Sequence, residues 1–155
     1  LGWDWLANIS WFGTPSMATV TIIVVSIWQN IGFLMIIYTA GLQTIPKDVM
    51  ESAELDGCSG LKKVLKIELP LLMPTVTINL FVSISGAFKS FDIPNAMTGG
   101  GPYGSTMPVA MNIYQEAFTK YNLGYGSAKS VILFLTVAAV TLIQLYCTRK
   151  KEVEY

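Results

Sequence analysis

No histidine occurs among the 155 residues. Its absence removes Ser/His/Asp and Cys/His triads, histidine-ligated zinc and any histidine pH switch. The two cysteines, Cys58 and Cys147, cannot build a disulfide framework or a four-cysteine metal site. No cofactor and no metal are expected. Charge is also scarce, at 13% of residues, where an ordinary soluble domain carries about a quarter. Ten Lys+Arg balance ten Asp+Glu, leaving no positive excess to neutralise a phosphate backbone, so nucleic-acid binding is not expected. An initiating methionine, a basic n-region and a small-residue cleavage site are missing too. The chain is therefore read as a fragment, not as a signal-bearing precursor. What it has in abundance is apolar surface: 52% hydrophobic residues and a mean hydropathy of +0.51. That excludes disorder and argues for a membrane rather than water as the surrounding medium.

The few charges map the chain. None lies between Asp4 and Lys47, between Glu68 and Lys89, or between Lys129 and Arg149, which leaves gaps of 42, 20 and 19 residues. A hydrocarbon core of about 30 Å takes roughly 20 helical residues, so the second and third gaps each hold one span. Gly13 and Thr14-Pro15 break the first gap, with Thr14 suited to N-cap and Pro15 to the first helical position. The expectation is an all-α, multispanning integral membrane protein with spans at about 15–42, 70–88 and 129–148. The whole of 1–155 is taken as part of one transmembrane domain. Trp3, Trp5, Trp11 and Phe12 read as an outer-leaflet anchor.

Orientation follows from the positive-inside bias. Lys47, Lys62, Lys63 and Lys66 lie between the first two spans, and Arg149, Lys150 and Lys151 follow the third. Seven of ten cations thus fall on one side, against Lys89, Lys120 and Lys129 on the other. The 43–69 segment and the C-terminus are expected in the cytoplasm, and the 89–128 segment outside.

The 43–69 segment is too polar to insert and too patterned for a plain linker. Pro46 can start a helix whose Asp48 and Glu51 meet the positive end of the macrodipole. Gly57 suits a helix C-terminus, and Ser59 a second N-cap ahead of Leu61, Val64 and Leu65. Such a helix–Gly–helix either contacts a partner protein or is a solvated connector. Glu51-Ser52-Ala53, three residues, Gly57, nine residues, Ile67, one residue and Leu69-Pro70 resemble the cytoplasmic signature of permease subunits of binding-protein-dependent ABC importers. The one departure is Ser52, where that signature has alanine. The resemblance implies that the first short helix is a coupling helix seated on a cytoplasmic ABC ATPase, with Glu51 and Gly57 carrying the contact.

A second stretch narrows the resemblance. Phe91-Asp92, Thr98-Gly99-Gly100-Gly101-Pro102, Tyr114, Ala117-Phe118, Leu123-Gly124-Tyr125 and Ser127-Ala128 are similar to the carbohydrate permeases of the maltose and glycerol-phosphate uptake type. What is absent on that comparison is the N-terminal half. Gly99, four residues, Gly104 and Ser105-Thr106 also approach a phosphate-binding loop. Ser105 stands where the lysine should be, no hydrophobic strand precedes the glycines, and the segment is expected outside. A tight outer turn, followed by a short helix over Pro108–Phe118, is the better reading.

Polar residues in hydrocarbon are costly unless they face a partner or water. Ser26, Gln29, Asn30 and Phe33 share one side of the first span, and Asn79, Ser83, Gly86, Ala87 and Ser90 one side of the second. Small residues and hydroxyls can simply let helices pack. Two adjacent mid-span amides, by contrast, offer donors and acceptors to a sugar hydroxyl, and Trp28, Phe33, Phe88 and Phe91 offer apolar ring faces. The resemblance points to Gln29, Asn30, Phe33, Ser83, Ala87 and Ser90 as lining a translocation path. Lys89 and Asp92, at i, i+3 spacing, are expected to pair with each other, with a role toward the substrate as the second reading.

These readings lead to a non-enzymatic transport subunit in a prokaryotic cell membrane, carrying a sugar, oligosaccharide or glycerol-phosphate-like solute. The implied partners are cytoplasmic ATPase subunits, a second permease subunit, an extracytoplasmic solute-binding protein and membrane lipid. The alternatives are a non-transporting scaffold that recruits an ATPase, which has no need of mid-span amides, and a membrane-embedded enzyme. The latter is disfavoured by the missing histidine and by the absence of an acidic pair within a span.

Overall fold

The computed structural model describes residues 9–149, and every described element is helical. Trp3, Trp5, Lys150 and Lys151 fall outside the described residues. Helix α1 spans Pro15–Gln43, α2 Lys47–Leu55, α3 Leu61–Leu71, α4 Met73–Phe88 and α5 Asp92–Thr98. Helix α6 covers Val109–Tyr114 and continues as a wider π turn over Gln115–Thr119, and α7 covers Leu123–Arg149.

Helix α1 starts as its residues dictate. The Met17 N–H reaches Thr14 Oγ1 at 3.4 Å, and Pro15 fills the first helical position, where a missing N–H costs nothing. Along the helix, Thr19, Thr21, Ser26 and Thr39 each donate a hydroxyl to the carbonyl four residues earlier, at 2.7–2.9 Å. Hydroxyls satisfied on their own helix can face hydrocarbon without an unpaired donor. Helices α1 and α7 are each long and apolar enough to cross a membrane.

Helices α3 and α4 meet at an angle of 69° and make a third span only if counted together. The break has a covalent cause. Pro70 has no N–H for the Lys66 carbonyl, and α3 widens to a π turn over Val64–Glu68, in which the Leu69 N–H bonds back to Val64 O. Pro74, four residues on, has none for the Pro70 carbonyl, and Leu72 falls between the two helices. The 16 residues of α4 are about 24 Å long, shorter than the hydrocarbon core. Helix α7 begins at Leu123, six residues before the span expected at 129. There the Asn122 carbonyl accepts the Gly126 N–H at 2.9 Å, and Gly126 lies flush against Ala117, where a Cβ would come within 2.7 Å of the alanine Cβ.

Packing divides the chain into two units. Among the described residues, one comprises 9–30 with Gly86–Thr136, and the other Ile31–Ser85 with 137–149. The second unit is joined by close backbone approach and by amides. A Cβ on Gly41 would collide with the Thr75 side chain, so glycine is what lets α1 and α4 touch there. Asn79, only 3% exposed, points its Nδ2 at Leu34 O at 3.5 Å, and Gln144 Nε2 donates to Thr77 O at 3.3 Å. Asn79 Oδ1 and Gln144 Oε1 are buried without partners. In the first unit Met111 is the largest fully buried side chain, and Gly100 packs on Met107 and Met111.

Candidate functional site

The helix–Gly–helix segment is built around one helix terminus. The Cys58 N–H bonds Ala53 O at 2.9 Å and the Gly57 N–H bonds Glu54 O at 3.0 Å, the paired pattern of a Schellman C-cap. Gly57 holds the left-handed position at φ +73°, while Ala53 and Cys58 supply the buried contact that accompanies such a cap. The second cap is not Ser59. Gly60 takes the N-cap at φ 58°, ψ −138°, a region open to glycine, and no side chain caps the helix.

An ion pair that sequence reasoning missed clips the two helices together: Lys63 Nζ to Glu54 Oε1 at 2.6 Å. The hydrogen bond from Lys63, reinforced by its charge, holds the Glu54 carboxyl below the usual glutamate range, and the same bond holds the lysine above its own. The i, i+9 spacing across a turn carries no periodic signal, which is why the pair was not seen. Glu51 and Ser52 remain exposed, and Glu51 is in no ion pair with a described residue. Ile67 and Pro70 are half-buried and Leu69 exposed on α3.

Gln29, Asn30 and Phe33 are exposed on α1, and Ser83 and Ala87 are exposed on α4, with Ser90 half-buried just beyond it. They differ in what they have left to offer. Asn30 Nδ2 already donates to Ser26 O at 2.8 Å. Gln29, Ser83 and Ser90 make no side-chain hydrogen bond among the described residues, unlike most hydroxyls in the long helices. Asn79, on the same expected stripe, is buried against α1 and has no open face. The expected Lys89–Asp92 pair does not form: α4 ends at Phe88 and Asp92 opens α5, so helical i, i+3 spacing does not hold across the turn.

The glycine segment after α5 is a closed loop. Thr98 Oγ1 lies 2.7 Å from Thr106 Oγ1, Thr106 Oγ1 is 2.6 Å from Gly101 O, and Gly99 caps α5 at φ 58°. The N–H groups of Gly100, Gly101, Ser105, Thr106 and Met107 all bond within the loop, so these five are not free to cradle a phosphate. Two tyrosines take positive φ, Tyr103 at 55° and Tyr121 at 57°, and both project outward, 98% and 86% exposed.

A charge cluster fastens α6 to α7. Glu116 lies 2.9 Å from Lys120 Nζ and 3.6 Å from Lys129 Nζ. Lys129 also donates to Asn112 Oδ1 at 2.7 Å and sits over the Tyr125 ring at 4.4 Å. The Lys120 hydrogen bond, aided by both lysine charges, holds the Glu116 carboxyl below the usual range. Sequence reading placed Lys120 and Lys129 only as outer-side charges. Glu116 and Lys120 stand at i, i+4, and that spacing was the available signal.

Comparison with known proteins agrees with this helical organisation. Residues 3–153 match the family described as binding-protein-dependent transport system inner membrane component. The chain is 37% identical over 150 residues to the "Probable starch degradation products transport system permease protein" of Thermoanaerobacterium thermosulfurigenes, covering 97% of this chain and 51% of that one. It is 40% identical over 145 residues to the sulfoquinovosyl glycerol transport system permease protein of Agrobacterium fabrum, covering 94% and 47%. With the sn-glycerol-3-phosphate transport system permease protein of Brucella abortus it shares 36% over 152 residues, covering 97% and 50%. The chain spans about half the length of these curated relatives. With described residues that are all-helical and hold two to three candidate membrane spans, and with a match over residues 3–153, the chain belongs to the binding-protein-dependent transport system inner membrane component family.

Proposed function

We propose that the chain is the C-terminal part of a transmembrane subunit of an ATP-driven importer for a sugar, oligosaccharide or glycerol-phosphate-like solute. The observation that carries the reading is the 47–71 segment. A glycine-capped helix pair, clipped by Glu54 and Lys63, presents Glu51 without an ion-pair partner among the described residues, in a family whose relatives bear sugar and glycerol-phosphate transport names. On this reading α2 is the coupling helix on a cytoplasmic ATPase subunit. Glu51, Ser52, Ala53 and Gly57 form its contact, and Ile67, Leu69 and Pro70 brace it from α3. Gln29, Asn30, Phe33, Ser83, Ala87 and Ser90 line the path, completed by a second permease subunit. An extracytoplasmic binding protein delivers the solute to the 89–128 segment, and the C-terminus is cytoplasmic. The subunit performs no reaction of its own, ATP being hydrolysed on the separate ATPase.

Glu51→Lys tests the reading. It reverses an exposed charge, so the subunit is expected to insert and assemble with its partner permease while ATP-dependent uptake falls to background. Uptake at the wild-type rate contradicts the assignment of α2 as the coupling helix.

A further inference from the structure

One polar stripe on α4 changes character within a single helical turn. Thr75, Asn79 and Ser83 follow at i, i+4, i+8 and so share a face. At Thr75 that face is closed, because α1 comes so near that only a glycine, Gly41, fits against the threonine side chain. At Asn79 it is still closed: the side chain is 3% exposed, and its Nδ2 reaches Leu34 O at 3.5 Å. At Ser83 it is open, and so is Phe33, the neighbour of Leu34 on α1.

An asparagine is a costly choice for a closed seam. A 3.5 Å contact is long for a hydrogen bond, and Asn79 Oδ1 is buried with no partner among the described residues. Leucine would fill the seam without leaving an acceptor unpaired. Gln144 Oε1 is buried and unpartnered as well, but Gln144 lies on α7, off this stripe, and its Nε2 is spent on Thr77 O and Thr148 Oγ1. Asn79 is poorly used where it lies, yet it continues the face on which Ser83 stands open. A solute that follows this face past Ser83 meets Asn79 next, so its passage requires α1 and α4 to part there. Once they part, the amide has a free acceptor and two donors to offer.

We infer that Asn79 is a path residue hidden in this arrangement: a latch against Leu34 O while α1 and α4 are closed, and a contact for a solute hydroxyl once they part. The inference rests on the transport reading above and extends the path by one residue toward the start of α4.

The test uses the assembled importer, with its partner permease, ATPase and binding protein. Asn79→Cys and Ser83→Cys, each with Cys58 and Cys147 replaced by serine, are reacted with 2-aminoethyl methanethiosulfonate, which attacks thiols in contact with water. The reaction is followed without nucleotide, and again with ATP held on an ATPase variant that cannot hydrolyse it. The expected result is that the cysteine at 79 reacts about tenfold or more faster in one state than in the other, and that the cysteine at 83 reacts in the state that shields 79. Uptake of maltose, raffinose and glycerol 3-phosphate is measured for wild type, Asn79→Leu and Thr77→Val. Thr77 is the control because it is equally buried but bonds only Met73 O of its own helix, at 3.0 Å. Asn79→Leu should assemble at least as well as wild type, while its maximal uptake falls about three- to tenfold with KM within about twofold. Thr77→Val should match wild type. A cysteine at 79 that is shielded in both states or open in both, or undiminished uptake in Asn79→Leu, overturns the inference and leaves the transport reading standing. Lower complex yield in Asn79→Leu, with normal uptake by the complexes that form, assigns the amide to helix packing and overturns it equally. Absence of ATP-driven uptake of all three solutes by the wild type removes the transport reading, and the inference with it.

Discussion

Asn30 and Gln29 are adjacent amides with different freedom. Asn30 spends one N–H on Ser26 O, whereas Gln29 makes no side-chain hydrogen bond among the described residues. If both line the path, Gln29 has more to give a solute hydroxyl. Gln29→Leu should therefore weaken recognition by about 1–3 kcal/mol, and Asn30→Leu by less. Uptake measured across a solute concentration series, normalised to complex yield, checks the order. Equal transport with reduced yield would move both amides to helix packing. At this scale the sequence was legible at several local positions, since the Thr14 cap, the Gly57 turn and Pro15 at the first helical position follow from residue type, while the equally local N-cap expected at Ser59 falls to Gly60. It was illegible where the partner is remote. Nothing in the spacing of Asn79 reveals that Leu34 O covers it, and that contact removes it from any open stripe.

At the scale of elements, the breaks were harder to place than the helices. Charge gaps locate apolar segments, but they are blind to Pro70 and Pro74 acting together, which turn the expected 70–88 span into a bent pair with α4 starting at Met73. They are equally blind to α7 starting within a glycine-rich stretch, because the stabilising contact of Gly126 with Ala117 lies on another element. The α6–α7 fastening gives a pH prediction. Its Lys120 and Lys129 partners lower the Glu116 carboxyl, so the contact is present at and above the ordinary glutamate range and is lost as pH falls through the lowered folded value. Hydrogen exchange of the 109–129 amides should thus be flat from pH 7 down to about 5 after correction for intrinsic rates, and rise only in more acid solution. In Glu116→Gln the amides should be faster at neutral pH and nearly indifferent to acid. A wild-type profile that already changes between pH 7 and 6 would mean another group controls the region.

For the whole molecule, the proposed topology makes a direct statement about accessibility. With Cys147 replaced by serine, a cysteine at Lys62 should be shielded from an impermeant thiol reagent in intact cells, and one at Ser105 should react. Labelling at Lys62 from outside inverts the orientation and removes α2 from the ATPase side. The account as a whole rests on α2 being that contact, since the path, the solute and the partners matter to transport only if closure of an ATPase reaches this subunit. The most direct measurement is therefore site-specific crosslinking in the assembled complex, from a single cysteine at Ser52, exposed beside Glu51, to cysteines placed across the surface of the co-expressed ATPase. The account predicts a crosslink to one confined patch of the ATPase, with a yield that changes between the nucleotide-free and ATP-bound states. An assembled, transport-competent complex that gives no crosslink from Ser52 to the ATPase in either state would contradict it.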